Sequence, residues 1–398
     1  MQKRTLQASL RKAAREYPVV TLTGPRQSGK TTLAISAFPK SKYISLEDPD
    51  QRSFAQENPR EFLTRFTSSV ILDEVQRVPD LFSYIQTIVD SENKPGRFIL
   101  TGSQNFLLMK TIRQSLAGRA AILRLLPFSL SELENRNPLP LAQIGKSLPR
   151  GARLADRSLM EVLFYGFYPR IHDKELDPQN WLANYYQTYV ERDVREILTV
   201  GDLKTFGSFI RLCAGRNAQL LNLSSLANDC GITHTTARRW LSVLETSYLV
   251  TVLQPHHRNF SKRLVKSPKL FFLDTGLLCY LLRIRSPEDL AIHALRGSVF
   301  ESFVVSEFYK NFLHQAQEAD LYFWRDAAGH EIDLILERGD ELIPIEAKSG
   351  QTVSRDFYKG LRYWRRLSGR QQTPAALVYG GDETYRREDV ITYSWRVL

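Results

Sequence analysis

Sulfur chemistry and membrane burial are what this sequence most clearly lacks. Three of its 398 residues are cysteines, Cys213, Cys230 and Cys279, far apart and never in Cys-x-x-Cys spacing. That excludes a disulfide framework and a thiolate zinc site. His256 and His257 are adjacent rather than at ligand spacing, and read as a solvated loop pair. Long apolar runs are missing too: stretches such as KLFFLDTGLLCYLL stop well short of the roughly 18 residues a membrane helix needs. No membrane partner is therefore expected. The first residues, MQKRTLQASLRKAAREYP, have no apolar block or small-residue cleavage site behind their positive charges, which points to a cytoplasmic chain. No short repeat or low-complexity tract interrupts an ordinary globular composition.

The length implies two or three domains at about 150 residues each. The net charge is +11, which favours a polyanionic partner, nucleic acid or an anionic surface. Residues 256–269, HHRNFSKRLVKSPK, concentrate Arg258, Lys262, Arg263, Lys266 and Lys269 without one acidic residue.

Near the start, VVTLTGPRQSGKTTLAISAF runs from a β-branched stretch through Gly-x-x-x-x-Gly-Lys-Thr into a helix-forming pattern. This is a P-loop in its required strand, loop and helix setting. Gly24, Pro25, Arg26, Gln27, Ser28 and Gly29 would cradle phosphates with backbone N–H groups, together with Lys30, Thr31 and Thr32 at the helix start. Lys30 would reach the β and γ oxygens of ATP, and the Thr31 hydroxyl would hold Mg2+. The apolar run SSVILDEVQ ends in Asp73 and Glu74, at the carboxyl end of a strand where parallel sheets bind ligands. Asp73 would support the magnesium, and Glu74 would polarise the attacking water. A third run, GRFILTGSQNF, brings Ser103 beside the γ-phosphate as a polar sensor, with Thr101 and Gln104 as alternatives. VVTLT, KYISLED, SSVILDE, RFILTGS and AAILRLL make five strands with helices between them, the alternation of an open parallel α/β sheet.

With LTGPRQSGKTTL, VILDEVQRVPDLF, ILTGSQNF, SLAGRAAILRLLPFSLSEL and FFLDTGLLCYLL in place, the chain resembles the AAA+ ATPases, in particular a bacterial and archaeal group of them. The resemblance implies a homo-oligomer, commonly a ring, in which an arginine before the fifth strand completes a neighbour's site. Arg119 occupies that place, with Arg113 as the alternative. MEVLFYGFYPRIHD and NWLANYYQTYVERDVREIL, with Trp181, Tyr185, Tyr189 and Val190 at helical spacing, read as a helical lid. Arg170 or Arg192 could sense nucleotide from it.

NLSSLANDCGITHTTARRWLSVLETSYLVTVL gives a short helix, a turn through Gly231 and a second helix, a helix-turn-helix pattern. YLVTVL, the basic loop and KLFFLD would supply a wing. His234, Thr235, Arg238 and Arg239 fall outside the apolar stripe, where they could meet phosphates or base edges. Such modules also serve as protein-interaction units, and both readings stay open. Asp274, Thr275 and Gly276 have no assigned chemistry beyond a turn before a helix.

Toward the far end, EIDLIL and ELIPIEAK read as two strands around the turn ERGDE. Residues two apart on a strand face one side, so Glu346 and Lys348 project together, and Asp333 can join them across the hairpin. Asp333 and Glu346 could hold magnesium, with Lys348 orienting a water. This arrangement resembles the restriction-endonuclease-like, or PD-(D/E)xK, nucleases, whose pattern implies one further carboxylate from an earlier helix. Glu301 in GSVFESFVVSEFYKNF fits. Arg362, Arg365, Arg366 and Arg370 in YKGLRYWRRLSGR read as phosphate contacts or as a solvated basic face.

The expected organisation is an AAA+ nucleotide-binding domain at 1–150, a helical lid at 151–205, a winged-helix module at 206–290 and an α/β nuclease-like domain at 291–398. The expected function is an oligomeric ATPase that hydrolyses ATP to bind or remodel double-stranded or branched DNA, through a C-terminal domain that binds or cleaves it. Two alternatives are an ATP-gated, magnesium-dependent junction-type nuclease and an ATP-switched regulator acting through protein or promoter binding.

Overall fold

The structure, a computed structural model, describes residues 2–103, 115–148, 157–190, 203–256, 265–387 and 389–398. Gln104, Arg113, Arg192, His257, Arg258, Lys262 and Arg263 lie outside the described residues. Packing divides the chain into two units, one of Met1–Pro127 with Thr246–Tyr248 and Leu313–Gln317, the other of Phe128–Glu245, Leu249–Phe312 and Glu318–Leu398.

The first unit is built on five parallel strands, β1 (Val19–Gly24), β2 (Lys42–Ser45), β3 (Val70–Asp73), β4 (Phe98–Ser103) and β5 (Ala120–Arg124), in the order β2-β3-β4-β1-β5. All five match the runs read from the sequence. Every residue of β1, β3 and β4 is buried, because successive side chains enter two different cores. Val70, Leu72, Phe98 and Leu100 feed one of them, with Phe62, Phe82 and Ile85 from the covering helices. Ile71, Ile99, Val20 and Leu22 feed the other, with Leu6, Leu10 and Leu33. Strands covered on both faces leave charged chemistry to their ends, where Asp73 closes β3.

The second unit holds β6 (Val250–Pro255), β7 (Lys269–Phe272), β8 (Leu321–Arg325), β9 (Glu331–Arg338), β10 (Glu341–Lys348), β11 (Ala375–Tyr379), β12 (Tyr385–Arg387) and β13 (Val390–Ser394). They form one mixed sheet in the order β12-β13-β11-β10-β9-β8-β6-β7. The packing units do not break at 150, 205 or 290. The antiparallel pair β6 and β7, read as strands of a wing, continues the C-terminal sheet through the parallel pairing of Gln254 and Pro255 with Tyr322 and Phe323. Phe206, Leu226 and Trp240 from the middle share a single core with Phe300, Leu334 and Ile391. Residue patterns mark elements; they do not reveal which elements bury their faces together.

The helix-turn-helix pattern is realised as Leu223–Cys230, then Gly231 at φ 65°, then His234–Thr246. His256 is buried rather than solvated, its N–H bonded to the Phe323 carbonyl at 2.7 Å. Asp274 gains a role that the sequence had withheld. Its carboxylate caps the helix Thr275–Leu281 by accepting from Leu277 N at 2.8 Å, and accepts also from Phe167 N at 2.8 Å. It thus ties two segments more than a hundred residues apart while lying 3% exposed. Among the described residues no helix is long and apolar enough to cross a membrane.

Asp274→Ala would leave two buried N–H groups without their acceptor, at a cost of about 3 kcal/mol. A fall in the urea midpoint of the second unit's transition, followed by far-UV dichroism, is the expected result.

Candidate functional site

The carboxyl ends of β1, β3 and β4 meet at the start of the helix Lys30–Ala37. Gly24 ends β1 at φ 149°, and a Cβ there would lie 2.0 Å from the Leu125 carbonyl oxygen. Only glycine lets the chain turn into the loop at that point. Gln27 and Gly29 also take positive φ, 63° and 90°. Ser28 is buried, and Thr32 lies exposed on the helix. Lys30 reaches back over this loop to donate to the carbonyls of Gly24 at 3.0 Å and Pro25 at 2.8 Å. Burial lowers its pKa to about 8, with Glu74 and Asp73 acting in the opposite direction.

Asp73 is the hub. Thr31 Oγ1 donates to it at 3.0 Å, Tyr43 OH at 2.9 Å, and Thr101 Oγ1 also bonds it. Glu74, next in the chain, takes the left-handed φ of 54°, uncommon for a non-glycine residue. The turn leads its carboxylate to Ser103, whose hydroxyl donates to Oε2 at 3.2 Å, and to Gln76, which bonds both Glu74 and, at 3.0 Å, Ser103. The structure therefore brings Lys30, Thr31, Asp73, Glu74 and Ser103 together. Arg119 is engaged otherwise: it forms a two-pronged ion pair with Asp90 and also donates to the Ala117 carbonyl at 3.1 Å.

Sequence reasoning missed Tyr43, Gln76 and Arg4. Arg4 is buried and donates at 2.7 Å to both the Ser28 carbonyl and the Leu126 carbonyl, which fixes the loop from behind. No local pattern marks an arginine that acts across so many residues.

A second cluster lies at one end of the larger sheet. Lys348 Nζ bridges Glu346 at 2.6 Å and Asp333 at 3.2 Å, and Asp333 accepts from Ala347 N at 2.9 Å. Glu301, Glu331 and Asp333 each offer a carboxylate oxygen within 4.8 Å of the others. All four expected residues converge, joined by two that were not expected there, Glu331 and Lys269. Lys269 had been counted in the basic run 256–269. It is instead 3% exposed, with its ammonium 3.0 Å from Glu301 Oε1 and in contact with Glu331 Oε1. Burial would lower its pKa, but Glu301, Asp333 and Glu331 outweigh burial and hold it above the ordinary lysine value. Burial, joined by Asp333, pushes Glu301 up to about 8 and Glu346 well above the ordinary range. Beside the cluster is a cavity of about 300 Å3 lined by His330, Asp333, Glu346, Lys348, Lys359 and Tyr363.

Of the residues expected to face phosphates, Lys266, His234, Thr235, Arg238 and Arg239 are exposed. Arg365 and Arg370 are tied to the carbonyls of Thr373 at 2.6 Å and Asp340 at 2.7 Å. Arg170 is exposed in the second unit.

Over 395 residues the chain is 30% identical to the uncharacterized proteins Rv2008c of Mycobacterium tuberculosis and Mb2031c of Mycobacterium bovis, covering 98% of this chain and 83% of each relative. The chain belongs to the family of these mycobacterial proteins. Residues 16–134 match the AAA domain family, 156–288 a domain of unknown function (DUF8612), and 296–397 another domain of unknown function (DUF4143). The uncharacterized protein MJ1544 of Methanocaldococcus jannaschii is 22% identical over 345 residues, which cover 82% of this chain and 74% of that protein. Among solved structures, the Walker-type ATPase paby2304 of Pyrococcus abyssi covers 70% of this chain and 95% of its own, at 16% identity and a TM-score of 0.41. A Thermotoga maritima RuvB variant covers 64% of this chain and 88% of its own, at 17% identity and a TM-score of 0.32. The AAA match contains both the P-loop and the Asp73 hub, so the N-terminal unit is an AAA-type ATPase domain.

In this AAA domain a bound phosphate would restore the charge that burial takes from Lys30. From about pH 8 up to the ordinary lysine value of 10.5, ATP binding should take up a proton and weaken as pH rises. Calorimetry in buffers of different ionisation enthalpy should give heats that differ more at pH 9 than at pH 7. In nucleotide-free protein the unfolded chain binds the extra proton across that window, so Lys30's contribution to stability rises with pH there.

In the second cluster, a Cβ on Gly360 would lie 2.0 Å from Glu346 Oε1. Gly→Ala within a helix ordinarily stabilises by about 1 kcal/mol. Gly360→Ala, on the helix Lys359–Ser368, is expected to do the reverse, and a lowered melting temperature would reveal the displaced Glu346.

Proposed function

We propose that this protein is an oligomeric, magnesium-dependent AAA+ ATPase that couples ATP hydrolysis to binding or remodelling double-stranded or branched DNA. The observation that carries the reading is the convergence of Lys30, Thr31, Asp73 and Glu74 at the ends of buried strands. These residues suit magnesium and a triphosphate: a hydroxyl and a carboxylate face each other, and a buried ammonium spends its hydrogen bonds on two loop carbonyls. Bound ATP with magnesium would supply the phosphoryl group and neutralise its charge. Lys30 would leave the carbonyls of Gly24 and Pro25 for phosphate oxygens, and Thr31 and Asp73 would hold the metal. Glu74 would orient the attacking water, held for that task by Ser103 and Gln76. In an oligomer, Arg119 would exchange Asp90 for a neighbour's nucleotide.

The DNA reading draws on the second helix of the helix-turn-helix, where His234, Thr235, Arg238 and Arg239 lie exposed on a chain of net charge +11. A winged-helix module there, next to a restriction-endonuclease-like domain built on β9 and β10, would grip the phosphate backbone. Steady-state ATP hydrolysis would be compared without DNA and with single-stranded, duplex and four-way-junction DNA at two salt concentrations. One DNA form should accelerate turnover several-fold, less so at high salt, and Lys30→Ala should abolish turnover throughout. Turnover that ignores every DNA form, with no mobility shift, would overturn the DNA reading and leave the ATPase standing.

A further inference from the structure

The cluster of Glu301, Glu331, Asp333, Glu346 and Lys348 has the carboxylates of a divalent-cation site, yet its residues do not fit one. Among them sits the ammonium of Lys269, in contact with Glu331 and 3.0 Å from Glu301. Arg325 Nη1 holds the other oxygen of Glu331 at 2.8 Å. Lys348 takes Asp333 and Glu346. Four carboxylates thus face three cations, which leaves little of the negative charge that draws a hard metal ion. Magnesium also demands oxygens at about 2.0–2.1 Å, whereas an ammonium draws carboxylates to about 2.7–2.9 Å. An ammonium held between Glu301 and Glu331 occupies the space a magnesium ion would need.

Lys269 is not a surface side chain that swings aside. It opens β7, where its backbone pairs with Leu253 and bridges Leu220. Its ammonium stands 5.9 Å from the Phe271 ring centre and 5.7 Å from that of Phe323, with 3% of the residue exposed. The strand that delivers it lies at the edge of the same sheet that carries Asp333 and Glu346. An ordinary lysine could be displaced by millimolar metal; one fixed by a strand and enclosed by rings must drag its strand with it.

We propose that Lys269 is the resident cation of this cluster, standing where a divalent ion would stand and closing the site to metal. The cluster is then an ion-paired joint between β7, β9 and the helix Arg296–His314, and metal binding there requires Lys269 to be withdrawn. This stands apart from the DNA reading, since a metal titration without DNA or nucleotide reports on it.

The test uses the full chain in an Asp73→Asn background, which removes the carboxylate of the N-terminal magnesium site. Mn2+ binding would be followed by electron paramagnetic resonance and by thermal melting. The parent should show no saturable binding at millimolar Mn2+. Lys269→Met should gain one site, melt several degrees higher with Mn2+ than with chelator, and lose both effects on adding Asp333→Asn. Lys269→Arg, which keeps the charge, should stay metal-free. Saturable Mn2+ binding by the parent that Asp333→Asn abolishes would overturn the proposal, as would a folded Lys269→Met with no gained site. Should Lys269→Met fail to fold, the comparison of the parent with Asp333→Asn decides: absent binding supports the proposal and Asp333-dependent binding defeats it.

Discussion

The N-terminal unit depends on strands that are buried on both faces. β1, β3 and β4 send alternate side chains into separate cores, and their only charged residue is Asp73, at the carboxyl end of β3. Chemistry is forced to the carboxyl ends, where the chain must turn. There Asp73 becomes a carboxylate that three hydroxyls from three segments reach. The loop beneath it is possible because Gly24 brings its backbone against Leu125, and because Arg4 braces the Ser28 carbonyl.

A different constraint shapes the second unit, the need to compensate buried charge. Charges removed from water are tolerated when each has partners close by. The cluster at the end of β9 and β10 meets that condition by recruiting Lys269 from a strand at the sheet edge and Arg325 from β8. Asp274 meets it with backbone N–H groups instead. The same requirement that holds distant segments together also decides how much negative charge remains for an incoming ion.

Much of the N-terminal site could be read in the sequence because its determinants are local. The P-loop occupies eight consecutive positions, Asp73 and Glu74 close one apolar run, and Ser103 closes another. A strand and the turn after it fix those side chains within a few residues. Glu301, Asp333, Glu346 and Lys348 were legible through a family pattern that carries spacing across elements. Glu331 escaped notice, though it lies two residues from Asp333 on the same strand and hence on the same side. Lys269 was misread because a run of basic residues suggests one exposed surface, whereas burial is decided residue by residue.

Sequence alone determined the five parallel strands, the helix-turn-helix and the phosphate loop, since each follows from periodicity and from residues close together in the chain. Family matches part the chain between 288 and 296. Packing makes no break there, because β6 and β7 complete the C-terminal sheet. Only tertiary structure decided that Lys269 faces carboxylates rather than phosphates, that Arg119 rests on Asp90, and that Asp274 joins remote segments. Each is a partnership between charges or hydrogen-bonding groups far apart in sequence. Such partners are chosen by which elements bury one another, and no local pattern records that choice.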